Sequence, residues 1–291
     1  MDLRAILMGL AFALMWSSAF TSARMIVAEA PPLSALALRF LLSGMIGVGL
    51  ALALGQRARL TPAQWRATVI FGICQNALYL GFYFLAMQRI EAGLASIAAS
   101  TMPLIVGLAG WAIMGQRLRL LGIAGLVAGF LGVTIIMGQR LSVGVDVLGL
   151  VFCALGVLAL AYATLTVRGA SAGGGNLLMI VGLQMLVGAL ALVPAAALME
   201  WPLAQPIVPT PRLTLAFLYT MLVPGLLATW VWFLLVGRIG AVRAATFHFL
   251  NPFFGVLIAA ALLGEALSLW DALGVAIVAG GILAVQISRA G

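Results

Sequence analysis

The chain has 291 residues, of which 65% are hydrophobic and 8% are charged, whereas an ordinary soluble domain has roughly 25% charged residues. This composition excludes a soluble protein. The formal net charge of +8 comes from 15 basic residues, all of them arginines that lie singly or in small groups between apolar runs. Such scattering argues against nucleic-acid binding and indicates membrane topology instead.

Apolar runs of about 20 residues recur along the chain, and each can cross a hydrocarbon core of roughly 30 Å. Breaks at arginine, proline and glycine clusters divide the chain into ten predicted helices. These are 5–23, 33–54, 66–87, 94–114, 120–138, 147–167, 176–199, 212–235, 243–263 and 270–287. We therefore predict an all-α polytopic membrane protein with ten transmembrane helices. The first run resembles a signal peptide, but we expect it to remain as the first helix.

The arginines predict the orientation of these helices. With the N-terminus in the cytoplasm, ten arginines lie on the inner side and four on the outer side, while Arg39 lies inside the second helix. Six of the seven acidic residues then lie on the outer side. The positive-inside rule therefore places both termini in the cytoplasm.

The chain also repeats itself without a gap at an offset of 149 residues. The offset pairs Arg89 with Arg238, Pro103 with Pro252, Gly115 with Gly264, Gly125 with Gly274 and Gly132 with Gly281. Each half then has five helices, and an odd number of crossings inverts the second half. We expect two inverted five-helix repeats, 1–140 and 141–291, which is an architecture of many secondary transporters.

Four segments carry a resemblance to a known family. They are MWSSAF, ALRFLLSG, YFLAMQRIEAGLASIAASTMPLIVGLAGWAIMGQRL and WFLLVGRIGAVRAATFHFLNPFFGVLIAAALLGEALS. The chain resembles the EamA-type drug/metabolite transporters over nearly its whole length, and within them it is similar to the YddG-like aromatic amino acid exporters. The resemblance implies a ten-helix carrier in a bacterial inner membrane that exports amino acids, metabolites or drugs. Gln116 departs from the family pattern, which more often has the glutamate seen at Glu265.

The two matched prolines, Pro103 and Pro252, lie in the middle of the fourth and ninth helices, where each removes a backbone donor. They are expected to act either as packing kinks or as hinges, and both helices should line the centre of the protein. On the ninth helix His248 and Asn251 share a face with Gly255 at i, i+3 and i+7. Polar groups at membrane depth usually face a pathway, so His248 and Asn251 are candidate substrate contacts. A hydrogen bond from His248 to a neighbouring carbonyl is the alternative.

The third helix carries a second predicted polar face. Asn76, Tyr79 and Tyr83 have the same spacing, and Gln75 precedes Tyr79 by one turn. The candidate substrate contacts are completed by Trp16, Trp230, Trp232 and Gln184, and for Gln184 a helix-to-helix hydrogen bond is an equal alternative. Aromatic faces with a few amide and phenol groups suit a substrate with an aromatic side chain and a polar head, or a flat organic cation.

Other polar and small residues lead to structural expectations. Arg39 could meet a substrate carboxylate, but a snorkelling or paired structural arginine is the favoured interpretation. Because no Asp or Glu lies at mid-helix, transport is expected to be facilitative, with proton coupling through His248 as the alternative. A glycine stripe on the fifth helix and its echo on the tenth predict that these two helices pack together. The stripe residues are Gly122, Gly125, Gly129 and Gly132, with Gly274 and Gly281 on the tenth helix.

These features favour an exporter of amino acids that works by alternating access, with drugs, organic cations or other metabolites as alternative substrates. An intramembrane enzyme would need a nucleophile and base or a metal cluster at one depth. One histidine and two cysteines on separate helices, Cys74 and Cys153, do not supply either. A channel is the third hypothesis. We expect a monomer with no cofactor and no metal, and with membrane lipid and a small-molecule substrate as its partners.

Overall fold

The computed structural model describes residues 3–112, 119–142, 144–166, 176–203, 207–239, 244 and 246–290. These residues are helical and contain no strand. The helices are α1 Leu3–Val27, α2 Pro32–Ala53, α3 Pro62–Ala86, α4 Ala92–Ala99 with Met102–Ala112, α5 Leu120–Ser142, α6 Val147–Thr166, α7 Leu177–Met199, α8 Pro211–Ile239, α9 Thr246–Leu250 with Asn251–Leu263, and α10 Leu269–Ala290.

Within the described ranges, eight helices are long and apolar enough to cross a membrane. Two shorter apolar helices, Phe247–Leu263 and Leu269–Val285, follow them at the end of the chain. The predicted all-helical membrane architecture is confirmed, whereas the exact number of ten membrane-crossing helices stays a prediction.

The backbone irregularities of the two halves follow the 149-residue offset seen in the sequence. The middle of α3 is a π-helix over Gly72–Tyr79, and the middle of α8 is a π-helix over Met221–Leu227. The α-helical second parts of α4 and α9 begin at Met102 and Asn251. Both pairs of starting positions are separated by the same offset, so a two-repeat architecture fits the local geometry as well as the sequence pattern.

The structure refines the predicted role of the matched prolines. Pro103 and Pro252 are each the second residue of a restarted α-helix, rather than interior residues of a continuous one. The first turn of a helix has N–H groups without intrahelical partners, so a proline costs little there. The prolines therefore mark real breaks in α4 and α9, and motion at these breaks stays a prediction.

Helices α5 and α10 pack closely along their glycines, as the sequence predicts. A Cβ atom at Gly281 would lie 2.6 Å from the Gly129 nitrogen and 2.7 Å from the Gly125 oxygen, and a Cβ atom at Gly132 would lie 2.9 Å from the Gly274 oxygen. The sequence repeat matches Gly125 with Gly274 and Gly132 with Gly281, but the contacts run crosswise between these pairs. Crossed contacts between equivalent positions are what a two-fold axis between the halves produces.

A second close pair, α2 and α7, also joins the two halves. A Cβ atom at Gly182 would lie 2.6 Å from the Val48 nitrogen, so these backbones touch as closely as those of α5 and α10. Between the two pairs, α1 packs against α8 and α9, and α4 packs against α9. The helices that carry the breaks are therefore at the centre, as expected.

Carboxylates cap helix starts at one end of the bundle, which we call the Glu265 end. Glu265 accepts hydrogen bonds from the Ala92 nitrogen at 2.7 Å and the Gly93 nitrogen at 2.9 Å, at the start of α4. Glu200 caps the start of α2 in the same way, through the nitrogens of Leu33 and Ser34. An anion is favoured there because the helix N-terminus carries partial positive charge.

At the opposite end an amide performs the equivalent task. Gln56, which follows α2, accepts a hydrogen bond from the Met179 nitrogen at the start of α7 at 3.0 Å. Glu200 follows α7 and caps α2, so the two caps are reciprocal between the halves. Gln116, the sequence counterpart of Glu265, lies outside the described residues.

The cap at Glu265 predicts a pH-dependent contribution to stability. Burial raises the pKa of Glu265 above its ordinary value of 4.5, and Glu91 acts in the same direction, against the two N–H groups and Arg24. Because the folded state binds this proton more tightly than the unfolded chain, its contribution falls as the pH rises through the raised pKa. We expect the difference in thermal midpoint between wild type and Glu265→Gln to decrease from pH 4.5 towards neutral pH.

Thermal unfolding in detergent across this pH range checks that expectation. The charged neighbours Arg24, Glu91 and Arg212 are present in both proteins, so the two proteins differ only in the carboxyl group at position 265. A difference in thermal midpoint between wild type and Glu265→Gln that grows with pH would contradict the raised pKa of Glu265.

Candidate functional site

A small cavity lies between α1, α2, α3 and α8, and we call it the central cavity. Its volume is about 40 Å³. Its walls include Trp16, Phe20, Arg39, Tyr79, Tyr83 and Phe84. Sites for small organic ligands usually measure roughly 300–1,000 Å³, so this conformation is too contracted to hold a substrate, and the helices must part to admit one.

Two predicted tyrosines form one wall of the central cavity. The rings of Tyr79 and Tyr83 have centroids 4.7 Å apart, and both side chains are buried. Helix α6 holds them in place through Gly156, where a Cβ atom would lie 2.7 Å from the Tyr83 ring. The Tyr83 hydroxyl has no oxygen or nitrogen partner in the described chain, and the Cys153 thiol lies near it. A buried phenol whose hydroxyl has no oxygen or nitrogen partner is suited to donate a hydrogen bond to a polar group of a ligand.

The chain's one histidine lies in a second cluster, which we call the His248 cluster. The His248 ring is surrounded by Phe12, Trp16 and Trp232, with centroid distances of 5.2, 6.4 and 5.1 Å. The Nδ2 atom of Asn251 lies 2.9 Å from Nδ1 of His248. His248 therefore bonds to a side chain of its own helix rather than to a neighbouring carbonyl.

Hydroxyl groups from two other helices meet the break in α9. The Asn251 carbonyl oxygen accepts hydrogen bonds from Oγ of Ser17 at 3.3 Å and from Oγ of Ser96 at 3.2 Å. Sequence reasoning missed both serines, although Ser17 belongs to the quoted MWSSAF segment. These bonds join α1 and α4 to the start of the second α-helical part of α9.

Trp16 connects the two groups of residues. It lines the central cavity beside Tyr79 and Tyr83, and it also forms an edge contact with His248. The predicted residues Trp16, Tyr79, Tyr83, His248 and Asn251, together with Trp232, are thus brought into one continuous region at the centre of the bundle.

The predicted polar face of α3 is divided by the π-helix. A π-helix rotates less per residue than an α-helix, so Asn76 does not share a face with Tyr79 and Tyr83. Instead, Asn76 donates from Nδ2 to the Gln184 carbonyl oxygen at 2.9 Å and joins α3 to α7. Gln184 thus meets α3 through its backbone, and Gln75 lines neither the central cavity nor the His248 cluster.

The Asn76 bond predicts a structural effect of mutation. Asn76→Ala leaves the buried Gln184 carbonyl without this donor, and we expect a loss of about 1–3 kcal/mol in the free energy of unfolding. Gln75→Ala, at the adjacent position, is the matched control and should change stability little. Equal thermal midpoints for the two variants in detergent would contradict this role for Asn76.

Trp230 is a further predicted contact that the structure places outside the central region. It lies two residues before Trp232, so it projects from nearly the opposite side of α8. It exposes 54% of its surface and contacts neither the central cavity nor the His248 cluster. Its depth along the helix suggested a site residue, but depth does not determine which way a side chain faces.

Arg39 also differs from the expectation. Its side chain is buried, at 6% exposure, so it does not snorkel to the membrane surface. Nor does it have an ion-pair partner in the described ranges; its Nε atom is buried without a hydrogen bond, and the guanidinium lies 4.9 Å from the Phe40 ring centroid. Arg39 lines the central cavity.

A thin barrier separates the central cavity from a wider polar depression of about 520 Å³ at the Glu265 end. Arg24, Gln88, Glu91, Arg212 and Glu265 line this depression. Met87 lines the central cavity, while its carbonyl oxygen accepts a hydrogen bond from Arg24. Residues of α1 and the end of α3 therefore lie between the cavity and the depression.

Comparison with known proteins supports the prediction of a membrane transporter. The sequence profile of the EamA-like transporter family matches residues 3–138 and 147–287. The chain belongs to the EamA-like transporter family. This EamA-like protein is accordingly a membrane transporter, and its family points away from an enzyme.

Relatives of this EamA-like protein are known in bacteria. It is 24% identical over 263 residues to the uncharacterized transporter YvbV of Bacillus subtilis, covering 88% of this chain and 83% of the relative. It is 27% identical over 268 residues to protein PecM of Dickeya dadantii, covering 92% and 86%. It is 30% identical over 136 residues to the aromatic amino acid exporter YddG of Ancylobacter novellus, covering 47% of each chain.

A solved crystal structure shares the fold of this EamA-like protein. The two align with a TM-score of 0.71 over 100% of this chain and 99% of the other, at 22% sequence identity. At this identity the likeness concerns the fold alone.

Proposed function

We propose that this EamA-like transporter is an inner-membrane exporter of amino acids, with aromatic and other neutral ones favoured. The observation that carries the proposal is the central cavity, where Trp16, Tyr79 and Tyr83 offer aromatic faces beside polar groups. Aromatic walls bind an apolar side chain, while a few placed polar groups orient the head of the ligand. A name given to one relative, aromatic amino acid exporter, agrees with this chemistry.

Alternating access is the mechanism that the architecture supports best. The crossed contacts of α5 and α10 fit a two-fold axis between the halves, and the break in α9 lies within the His248 cluster. Repeats related in this way exchange conformations by rocking around a central site. The thin barrier of Arg24 and Met87 would part to open the cavity at the Glu265 end, which we assign to the periplasmic side because the arginine distribution predicts it.

Transport is proposed to be facilitative. All six described acidic residues lie in connections or first turns rather than within helices, so no mid-helix carboxylate is available to carry a proton. Coupling through His248 is the alternative, because its imidazole lies beside the proposed path. Collapsing a pH gradient across proteoliposomes should leave the transport rate unchanged if transport is facilitative, and should reduce it if His248 couples protons.

Export of organic cations is the second candidate, because the same aromatic rings could hold a flat cation by cation–π attraction. Uptake of labelled amino acids into proteoliposomes, with organic cations as competitors, separates the two. The proposal predicts saturable transport of L-phenylalanine and related neutral amino acids. Movement of a cation without movement of any amino acid would refute the proposed substrate class.

A further inference from the structure

Arg39 is a buried positive charge for which the described chain provides no negative partner. It lies about two turns, roughly 10 Å, inside α2. Removing a cation from water without pairing it is strongly unfavourable, and ionisable residues within membrane helices generally mark a substrate path. The guanidinium is held beside the Phe40 ring and faces the central cavity.

No acidic residue of the described chain forms an ion pair with Arg39. The acidic residues all lie in connections or first turns at the Glu265 end, where several cap helices or pair with other groups. They are Glu29, Glu91, Asp146, Glu200, Glu265 and Asp271. A negative charge beside Arg39 must therefore come from outside the described chain.

Three further orphaned polar atoms lie on the helices that wall the cavity. They are the hydroxyl oxygens of Thr21 on α1, Ser43 on α2 and Tyr83 on α3, and together with Nε of Arg39 they are the buried side-chain atoms without a hydrogen bond in the described residues. Ser43 lies one turn after Arg39 on the same face. Native proteins pair nearly all buried polar atoms, so these atoms can still bind a ligand, and Arg39 and Tyr83 line the central cavity itself.

Gly225 brings the α8 backbone close to the guanidinium. A Cβ atom at Gly225 would lie 3.8 Å from Nη2 of Arg39 and 3.8 Å from Oγ of Ser43. The donor groups of Arg39 and Ser43 therefore face the same stretch of α8, and a side chain larger than a methyl group at position 225 would press against both.

We propose that Arg39 binds the carboxylate of the transported molecule, with the Tyr83 and Ser43 hydroxyls as neighbouring donors. A guanidinium matches a carboxylate through two parallel hydrogen bonds, and the Tyr79 and Trp16 rings lie close enough to receive the rest of an amino acid. This inference rests on the proposed amino acid transport and narrows it, since the substrate must carry a carboxylate. The buried charge also repels organic cations.

The test compares two ligands that differ by the carboxylate. L-phenylalanine transport is measured in proteoliposomes, with 2-phenylethylamine as a competitor, for wild type and Arg39→Gln. The variant is expected to raise the KM for L-phenylalanine about 10- to 100-fold, the value of a lost charge-assisted pair. The inhibition constant of 2-phenylethylamine is expected to stay the same or to improve. Arg57→Gln, at an exposed arginine beyond the end of α2, should leave both constants unchanged.

The midpoint of thermal unfolding without ligand separates a role of Arg39 in substrate binding from a role in stabilising the fold. If Arg39 serves the substrate, removing its unpaired charge leaves the midpoint of Arg39→Gln equal to or above that of wild type. A lower midpoint would show that Arg39 stabilises the fold, and an unchanged KM for L-phenylalanine, or equal weakening of both ligands, would overturn the inference.

The failures of the two proposals are distinguishable. If wild type moves no amino acid, the proposed function is wrong irrespective of Arg39. If wild type transports L-phenylalanine but the variant keeps the same preference for a carboxylate, only the role of Arg39 is wrong.

Should Arg39→Gln fail to fold, Arg39→Lys carries the test, because it keeps the charge but loses the paired donors. Its KM for L-phenylalanine should rise about 3- to 10-fold, and an unchanged KM would overturn the role.

Discussion

Gly281→Ala is expected to lower the free energy of unfolding by about 1–3 kcal/mol or more, because overpacking a tight interface forces its backbones apart. The three atoms nearest to a Cβ atom at this position are backbone atoms of α5, and they include the Gly129 nitrogen at 2.6 Å and the Gly125 oxygen at 2.7 Å. Backbone atoms cannot rotate away as a side chain can, so α5 and α10 must separate. The loss should appear as a lower thermal midpoint in detergent and a lower yield of folded protein.

The adjacent glycine of α10 provides a matched control for this result. A Cβ atom at Gly280 has nothing within 4 Å. Gly280→Ala makes the same chemical change one residue away and removes a helix-destabilising glycine, which is worth roughly 1 kcal/mol. Its midpoint should equal or exceed that of wild type. Equal loss in Gly280→Ala and Gly281→Ala would show that the α5–α10 contact does not join the halves as described.

Apart from Arg39→Gln, Trp16→Ala is expected to have the largest effect on transport. Trp16 lines the central cavity and also contacts the His248 ring, so its loss removes aromatic surface from both groups of residues. Burial of a large aromatic side chain is worth about 1.5–3 kcal/mol, which corresponds to roughly 10- to 100-fold in KM for L-phenylalanine. Trp16→Phe, which keeps a ring at this position, should recover part of that affinity.

Trp230→Ala separates a role in the site from a general effect of losing a tryptophan. Trp230 is as apolar as Trp16 and lies on the neighbouring helix α8, but it faces away from the central cavity. The KM of Trp230→Ala for L-phenylalanine should stay within about twofold of the wild-type value, a difference of under about 0.5 kcal/mol in binding free energy. A fall in transport as large as that of Trp16→Ala would mean that the substrate path runs along the outer side of α8 instead.

Local pattern was enough to predict the helices, the repeat and the α5–α10 contact. Apolar runs of membrane length have few alternatives to a helix, because the bilayer leaves no water for unpaired backbone groups. Pro103 and Pro252 marked the helix breaks because proline excludes a backbone hydrogen bond wherever it stands. The glycine stripes of α5 and α10 predicted their packing because small residues are what permit close approach.

The identity of the site residues required the tertiary structure. The sequence placed Asn76 with Tyr79 by assuming α-helical spacing, and a π-helix at Gly72–Tyr79 separated them. Ser17 and Ser96 gave no signal of their own, because their function depends on where the break in α9 leaves the Asn251 carbonyl. A side chain's direction follows from helix geometry, and its neighbours follow from packing between elements far apart in the chain.

Arg39 shows most clearly what the sequence alone could not determine. The sequence by itself determined that an arginine lies within α2, but an arginine there can snorkel, pair with an acid or bind a ligand. Only the tertiary structure argued against snorkelling and pairing, because it buried the side chain against the central cavity and left no described carboxylate in an ion pair with it. Charge compensation depends on distances between helices, and no pattern within one helix specifies them.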